Sequence, residues 1–136
     1  MKVFVYGSLR EGGPLHHYYF NKNLFCGKAR TAPGYVLFDI TNGAFPAMAK
    51  SADQSQVYGE VYEVDDSLLA QLDRAEGHPH FYCRTEILLE NSETVFAYLL
   101  PLEDIIGYPK VGDGDWLPFI VKANQKSKNE IDKWFI

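Results

Sequence analysis

The sequence predicts a mixed α/β (α+β) fold: one compact domain over residues 1–136, with a small mixed β-sheet curling toward a barrel and helices flanking it. Three observations carry this. A chain of 136 residues is long enough for one hydrophobic core and short for two. About six or seven short runs rich in β-branched and aromatic residues outnumber two or three helical patterns. Strands and helices also do not alternate regularly, as a doubly wound parallel sheet requires, so a mixed sheet closing toward a barrel fits better.

Residues 2–6, KVFVY, read as the first strand and run straight into Gly7, so Ser8 and Leu9 project from a fixed strand end. Gly12 and Gly13 break the chain, and Pro14 suits the first position of a short helix over 14–22 that ends within Asn21–Asn23. Runs at 24–30, 34–38 and 56–63 read as strands, with turns at Pro33-Gly34 and Asn42-Gly43. In the third run, Val57, Gly59, Val61 and Glu63 share one face, and Tyr58, Glu60, Tyr62 and Val64 the other. Glycine at 59 weakens a strand energetically, which points to a close backbone approach or a bulge.

Asp65 or Asp66 can cap the next helix, whose stripe of Leu68, Leu69, Leu72 and Ala75 has helical spacing and reads as core. Gly77 and Pro79 stop that helix with Glu76 in its last turn, where the helix dipole raises a carboxyl pKa slightly. FYCRTEILLE at 81–90 and TVFAYLL at 94–100 read as a strand pair joined through 91–93. Alternation places Tyr82, Arg84 and Glu86 together and turns Cys83 toward the core, with Cys26 similarly placed in LFCG. From Pro101 on, Gly107, Pro109, Gly112, Gly114 and Pro118 indicate a long folded loop before a C-terminal helical or extended segment.

A formal charge of -5, from 13 basic and 18 acidic residues, disfavours attraction to nucleic acid or anionic membranes. The basic cluster Lys122, Lys126 and Lys128 is interrupted by Glu130 and Asp132 and reads as a solvated tail or helix face. Two cysteines are too few for a secreted disulfide framework. With no span-length apolar run and no signal-peptide pattern, a cytoplasmic location is expected. The run from Gly7 to Gly12 lacks the G-K-[ST] of a phosphate-binding loop and the spacing of a dinucleotide fingerprint.

Among candidate chemical groups, Glu76 stands before Gly77-His78-Pro79-His80 and close to Tyr82 and Arg84. It reads either as a surface residue ending a helix or as a carboxyl held near neutrality for proton transfer; Arg84 pairs with Glu76 or Glu86 in the former case. Tyr6, Gly7, Ser8 and Leu9 form either an ordinary turn or a set of backbone donors for an anionic oxygen. Ser8 does not sit in a G-x-S-x-G elbow, which argues against a covalent nucleophile. His78 and His80 supply two ligands where a zinc site needs more; they line a turn, one of them a possible proton relay. An aromatic fraction of 15% either completes the core or walls a pocket.

In order along the chain, VFVYGSLREG at 3–12, YGEVYEVDD at 58–66, LDRAEG at 72–77, FYCR at 81–84, VFAYLL at 95–100 and GDW at 114–116 resemble the gamma-glutamylcyclotransferase-like superfamily, especially its gamma-glutamylamine cyclotransferase-like branch. The resemblance implies a small barrel with a cavity beside the first strand-loop junction and no metal or organic cofactor. It implies Glu76 as the catalytic acid/base, Tyr6, Gly7, Ser8 and Leu9 as the substrate-binding loop, Tyr82 and Tyr98 as pocket walls, and a structural role for Arg84. The implied reaction is cyclising release of 5-oxoproline from a gamma-glutamyl amine or amide. A noncatalytic sensor of a small gamma-glutamyl metabolite is the alternative. The implied partner is that small substrate, with neither nucleic acid nor membrane, for a monomer or weak homodimer. The Gly77–His80 segment departs from the family pattern on the acceptor side, and a larger amine would reach the 101–120 region.

Overall fold

The computed structural model describes residues 1–40 and 45–116. Seven strands form one mixed sheet: β1 (Lys2–Val5), β2 (Phe25–Arg30), β3 (Tyr35–Asp39), β4 (Pro46–Lys50), β5 (Tyr58–Glu63), β6 (Cys83–Leu88) and β7 (Thr94–Leu99). Helix α1 covers His16–Tyr19, α2 covers Asp66–Glu76 and α3 covers Leu102–Ile105, with a 3-10 turn at Lys22–Leu24. The order is β2-β5-β1-β7-β4-β3, and β6 pairs antiparallel with β7. Among the described residues no helix is long and apolar enough to cross a membrane.

Closure follows from where the ends of the sheet meet. The chain just beyond β2 bridges the chain just beyond β6 at Thr31 and Leu89, flanked by bonds from the Ala32 N–H to the Leu88 carbonyl and from the Glu90 N–H to the Arg30 carbonyl. Strands β2, β5, β1, β7 and β6 therefore curl into a small barrel, with the β3–β4 hairpin attached through β7. Pairing around the barrel satisfies strand edges that would otherwise be open. The curl buries both faces of the central strands. Phe4, Val61, Ile87, Val95, Ala97 and Trp116 pack on the inner side; Val3, Val5, Tyr62, Leu69, Leu72, Tyr82 and Tyr98 pack in a second cluster that takes in α2.

Helix α2 forms where its pattern predicts. The Asp65 carboxylate caps it by accepting from the Leu68 N–H at 2.8 Å, and Leu69 and Leu72 are buried while Ala75 is exposed. Each fully buried leucine contributes about 2 kcal/mol of transfer free energy. Gly59 has the close approach its position implied: a Cβ there would lie 2.1 Å from the Val5 carbonyl oxygen and 2.8 Å from the Phe4 ring.

The expected helix over 14–22 shortens to His16–Tyr19, because Phe20 turns extended at φ -120, ψ 153. Strand β4 was not read from the sequence at all: PAMAK has little β-propensity and starts with proline. Tertiary pairing creates it, antiparallel to β3 and parallel to β7 at Met48–Leu99. Both cysteines are exposed, against the expectation of core thiols. Cys83 shares the face of Ile87 and Leu89 but lies at the end of β6, beyond the packed core, and β2 has no fully buried residue. The irregular segment after Pro101 contains α3 and is tied down by bonds from the Val111 N–H to the Leu37 carbonyl and from the Tyr58 N–H to the Gly114 carbonyl. The Asn42-Gly43 turn, Pro118, the C-terminal segment and the Lys122, Lys126, Lys128 cluster lie outside the described residues.

Gly59→Ala forces either β1 or β5 to move, an overpacking cost of about 2–3 kcal/mol. Urea unfolding should show the midpoint lowered accordingly, whereas Gly112→Ala, where a Cβ meets nothing within 4 Å, should leave it nearly unchanged.

Candidate active site

The site begins where β1 leaves the sheet. Strand β7 pairs parallel with β1 at Val3–Phe96 and, farther along, with β4 at Met48–Leu99. Tyr6 joins these partners: its phenol donates to the Tyr98 carbonyl at 2.6 Å and accepts from the Met48 N–H at 3.2 Å. The Tyr82 phenol donates to the Pro46 carbonyl at 2.7 Å. Buried phenols of this kind need such partners.

The loop after β1 is held by its own turns and by a buried carboxylate. Arg10 N–H bonds to the Gly7 carbonyl, Gly13 N–H to Arg10 and Leu15 N–H to Ser8. Glu60, 3% exposed, accepts from Arg10 Nε at 2.5 Å and from the Glu11 N–H at 2.7 Å, and Arg10 also reaches Asp115 at 2.5 Å. A buried charge persists only when it is paired in this way. At Gly7 a Cβ would meet the Pro46 ring at 2.5 Å, so only glycine lets the loop pass this close to β4. The N–H groups of Gly7, Ser8 and Leu9 have no acceptor among the described residues, which leaves three donors for an anion.

Opposite the loop stands the C-terminal turn of α2. Gly77 adopts the left-handed conformation at φ 70, and the N–H groups of Gly77 and His78 return to the Arg74 and Asp73 carbonyls. Tyr82 N–H then bonds to the Glu76 carbonyl at 3.2 Å, drawing Tyr82 to Glu76. Asp73, one turn before Glu76, anchors the helix to the sheet. It accepts from the Tyr98 phenol at 2.6 Å and from Arg84 NH1 at 2.8 Å. Arg84 thus pairs with Asp73, not with Glu76 or Glu86 as expected, and its guanidinium lies 5.4 Å over the Phe96 ring. His78 Nδ1 accepts from the Arg84 N–H at 2.9 Å, so it braces the turn; His80 is exposed.

These elements enclose a cavity of about 150 Å³. Every residue expected at the site, namely Tyr6, Gly7, Ser8, Leu9, Glu76, Tyr82 and Tyr98, lines it. Leu15, Tyr19, Phe45, Pro46 and Phe81 line it as well and were not foreseen. The four-residue spacing of Leu15 and Tyr19 was a usable signal; Pro46 and Phe45 came with the unrecognised strand. Asp73 was also missed, although its three-residue spacing from Glu76 puts both on neighbouring helix positions.

The Glu76 carboxyl has no hydrogen bond or ion pair among the described residues. Burial raises its pKa to about 7, because a charged carboxylate loses solvation there, as expected for a helix-end carboxyl in a partly apolar pocket. Burial also raises the pKa of Tyr82, with Glu76 adding to it. Tyr98 is raised by burial and by its bond to Asp73, and Tyr6 by burial foremost. All three phenols stay neutral, leaving Glu76 as the group of the cavity that exchanges a proton near pH 7.

The sequence model of the family described as "Gamma-glutamyl cyclotransferase, AIG2-like" matches residues 3–118. A Methanocaldococcus jannaschii protein provisionally named a gamma-glutamylcyclotransferase is 37% identical over 99 residues, 71% of this chain and 80% of that one. Gamma-glutamylaminecyclotransferase C of Danio rerio is 37% identical over 125 residues, 85% of this chain and 79% of its own. The crystal structure of an AIG2-like protein from Mus musculus superposes with a TM-score of 0.69 at 26% identity, covering 80% of this chain and 84% of that one.

A carboxyl whose pKa rises on folding binds its proton more tightly in the folded state, so stability is highest below the unfolded value and falls as pH climbs toward about 7. The loss should reach at most about 3 kcal/mol. Denaturant titrations from pH 5 to 8 should show this fall in the wild type and a flatter profile in Glu76→Gln, with the variant the more stable protein at pH 8. Parallel profiles for the two would show that the carboxyl is not desolvated.

Proposed function

The chain belongs to the AIG2-like gamma-glutamyl cyclotransferase family, in its gamma-glutamylamine cyclotransferase-like branch, and from that premise we propose that it cleaves a gamma-glutamyl amine or amide to 5-oxoproline and a free amine. The observation that carries this reading is the pairing of one cavity with two unlike ends: a desolvated Glu76 carboxyl and the N–H groups of Gly7, Ser8 and Leu9, neither of which has a partner among the described residues.

The three N–H groups take the glutamyl α-carboxylate, a task suited to backbone donors in a tight loop. With that end fixed, the α-amine is turned toward its own γ-carbonyl, and the attack becomes intramolecular. The α-nitrogen forms a bond to the γ-carbon, closing a five-membered ring, and the bond from that carbon to the leaving nitrogen breaks. Glu76, ionised, removes a proton from the attacking amine and then returns it to the departing nitrogen, so no net proton or water is consumed. A pKa of about 7 suits both roles, since the group gives and takes a proton at similar cost near neutrality. Asp73 holds the helix end that presents Glu76, through Tyr98 and Arg84. Tyr6 and Tyr82 keep their phenol protons on backbone carbonyls, so they shape the walls and do not compete for the proton.

Glu76→Gln keeps the size of the side chain and removes its proton chemistry, and turnover should fall by about 10²–10⁴-fold with the circular dichroism spectrum retained. Mass-resolved detection of 5-oxoproline from gamma-glutamyl amines is the measurement. In the wild type kcat/KM should rise with pH through about 7, as the base form of Glu76 fills. Equal turnover by both proteins removes Glu76 from the mechanism; selective stabilisation by gamma-glutamyl compounds with no product from either supports a binding protein instead.

A further inference from the structure

A second cavity, of about 290 Å³, is lined by Glu11, His16, Asn21, Phe25 and Tyr62, none of which lines the Glu76 cavity. Its walls are aromatic. Tyr62 is buried and stacks on Phe20 at 4.3 Å, which fixes its ring. Phe25 meets that ring at 5.7 Å and 61°, and His16 meets it at 5.6 Å and 55°, so two rings incline on a third as an open cage. Phe25 comes to this position through a bulge. Pairing of β2 with β5 shifts between Phe25, opposite Tyr62, and Gly27, opposite Val61, and Gly27 takes a φ of 148 that glycine tolerates. A bulge re-aims the side chains beside it. Phe25 is left 43% exposed, although a ring of its size gains by burial.

The polar part of the lining favours positive charge. Glu11 brings a carboxylate, and the Asn21 amide oxygen already accepts from the Asn23 N–H at 2.9 Å. His16 Nδ1 donates to the Leu9 carbonyl at 3.0 Å, so in the neutral ring Nε2 is an acceptor. No Lys or Arg lines the cavity among the described residues. Arg10, the cation whose field reaches Tyr62, is bound to Glu60 and Asp115. The Tyr62 phenol registers the sign of the field: burial raises its pKa first, and Glu60 and Glu11 raise it further against a smaller opposing effect of Arg10. The geometry points to a second binding site, for a small organic ammonium ion whose alkyl groups lie against Phe25 and Tyr62 and whose charge is met by Glu11. Aromatic faces attract such a cation through the ring quadrupole. An anion is repelled by Glu11 and Glu60, and an uncharged hydrocarbon gains only the apolar part. A metal ion needs more ligands than Glu11 and His16, and no group of three ligating side chains exists among the described residues. The site stands apart from the cyclotransferase reading, because the two cavities share no lining residue.

The test is a titration followed by NMR, in which choline and its uncharged carbon isostere neopentylcarbinol are added at constant ionic strength to the wild type, Phe25→Leu and Glu11→Gln. Choline should give saturable shifts in the ring signals of Phe25 and Tyr62, and should bind more tightly than neopentylcarbinol by about 3-fold or more. Phe25→Leu keeps apolar surface and removes the aromatic face; Glu11→Gln keeps the size of an exposed side chain and removes its charge. Each should weaken choline binding about 2- to 5-fold, and Glu11→Gln keeps the test in force if Phe25→Leu loses the native spectrum. Equal affinity for the two compounds overturns the recognition of charge, and unchanged affinity in both variants overturns the placement of the site. Shifts centred on Tyr82 and Tyr98 assign the ion to the Glu76 cavity and overturn the inference, as does the absence of any saturable shift with choline.

Discussion

The arrangement depends on one half-buried carboxyl that has no ion pair among the described residues. Glu76 has no counter-ion among the described residues, and burial moves its pKa to about 7. Such a group can be held only if its surroundings are fixed independently of it. Asp73 does this: it spends both carboxylate oxygens on Tyr98 and Arg84, so the last turn of α2 is tied to β6 and β7 by charges that never touch Glu76. Arg84 is thereby committed to Asp73, one helical turn before Glu76. Had Arg84 reached Glu76, the ion pair would have pulled the carboxyl back below its ordinary range.

The other half of the cavity comes from a division in the sheet. Strand β7 pairs with β1 over one part of its length and with β4 over another, and the Tyr6 phenol supplies the hydrogen bonds that join the two. The backbone leaves β1 at that point. Gly7 passes the Pro46 ring too closely for any side chain, and the buried Glu60 holds Arg10 and the Glu11 N–H beyond it. The N–H groups of Gly7, Ser8 and Leu9, residues that line the cavity, are therefore left without carbonyl partners among the described residues. Backbone donors that leave a strand ladder lose their carbonyl partners, which is the condition under which such groups can serve a ligand.

Local signals were legible wherever the chain carries its own instructions. The Asp65 cap, the apolar stripe of α2 and the Gly77 stop all depend on residues near one another in sequence, and the strand pair β6–β7 was legible for the same reason. The glycine at 59, by contrast, marked a crowded position whose crowding groups, Phe4 and Val5, come from a distant strand. Strand β4 was not, because alanine, methionine and proline adopt that strand only when β3 and β7 supply its hydrogen bonds. Cys26 and Cys83 sit in runs that read as buried, yet periodicity states which face a residue takes and not how far the core extends beneath it.

The amino-acid sequence by itself determined the class of fold, the position of Glu76 at a helix end, the loop of Tyr6 to Leu9 at a strand end and the family to which the chain belongs, because motif order and local spacing encode them. The tertiary structure decided that these segments share a cavity, that Asp73 and not Glu76 takes Arg84, and that burial sets the proton affinity of the carboxyl. Solvation and ion pairing depend on distances between segments far apart in the chain. Those distances exist only once the sheet has curled and the helix has packed against it.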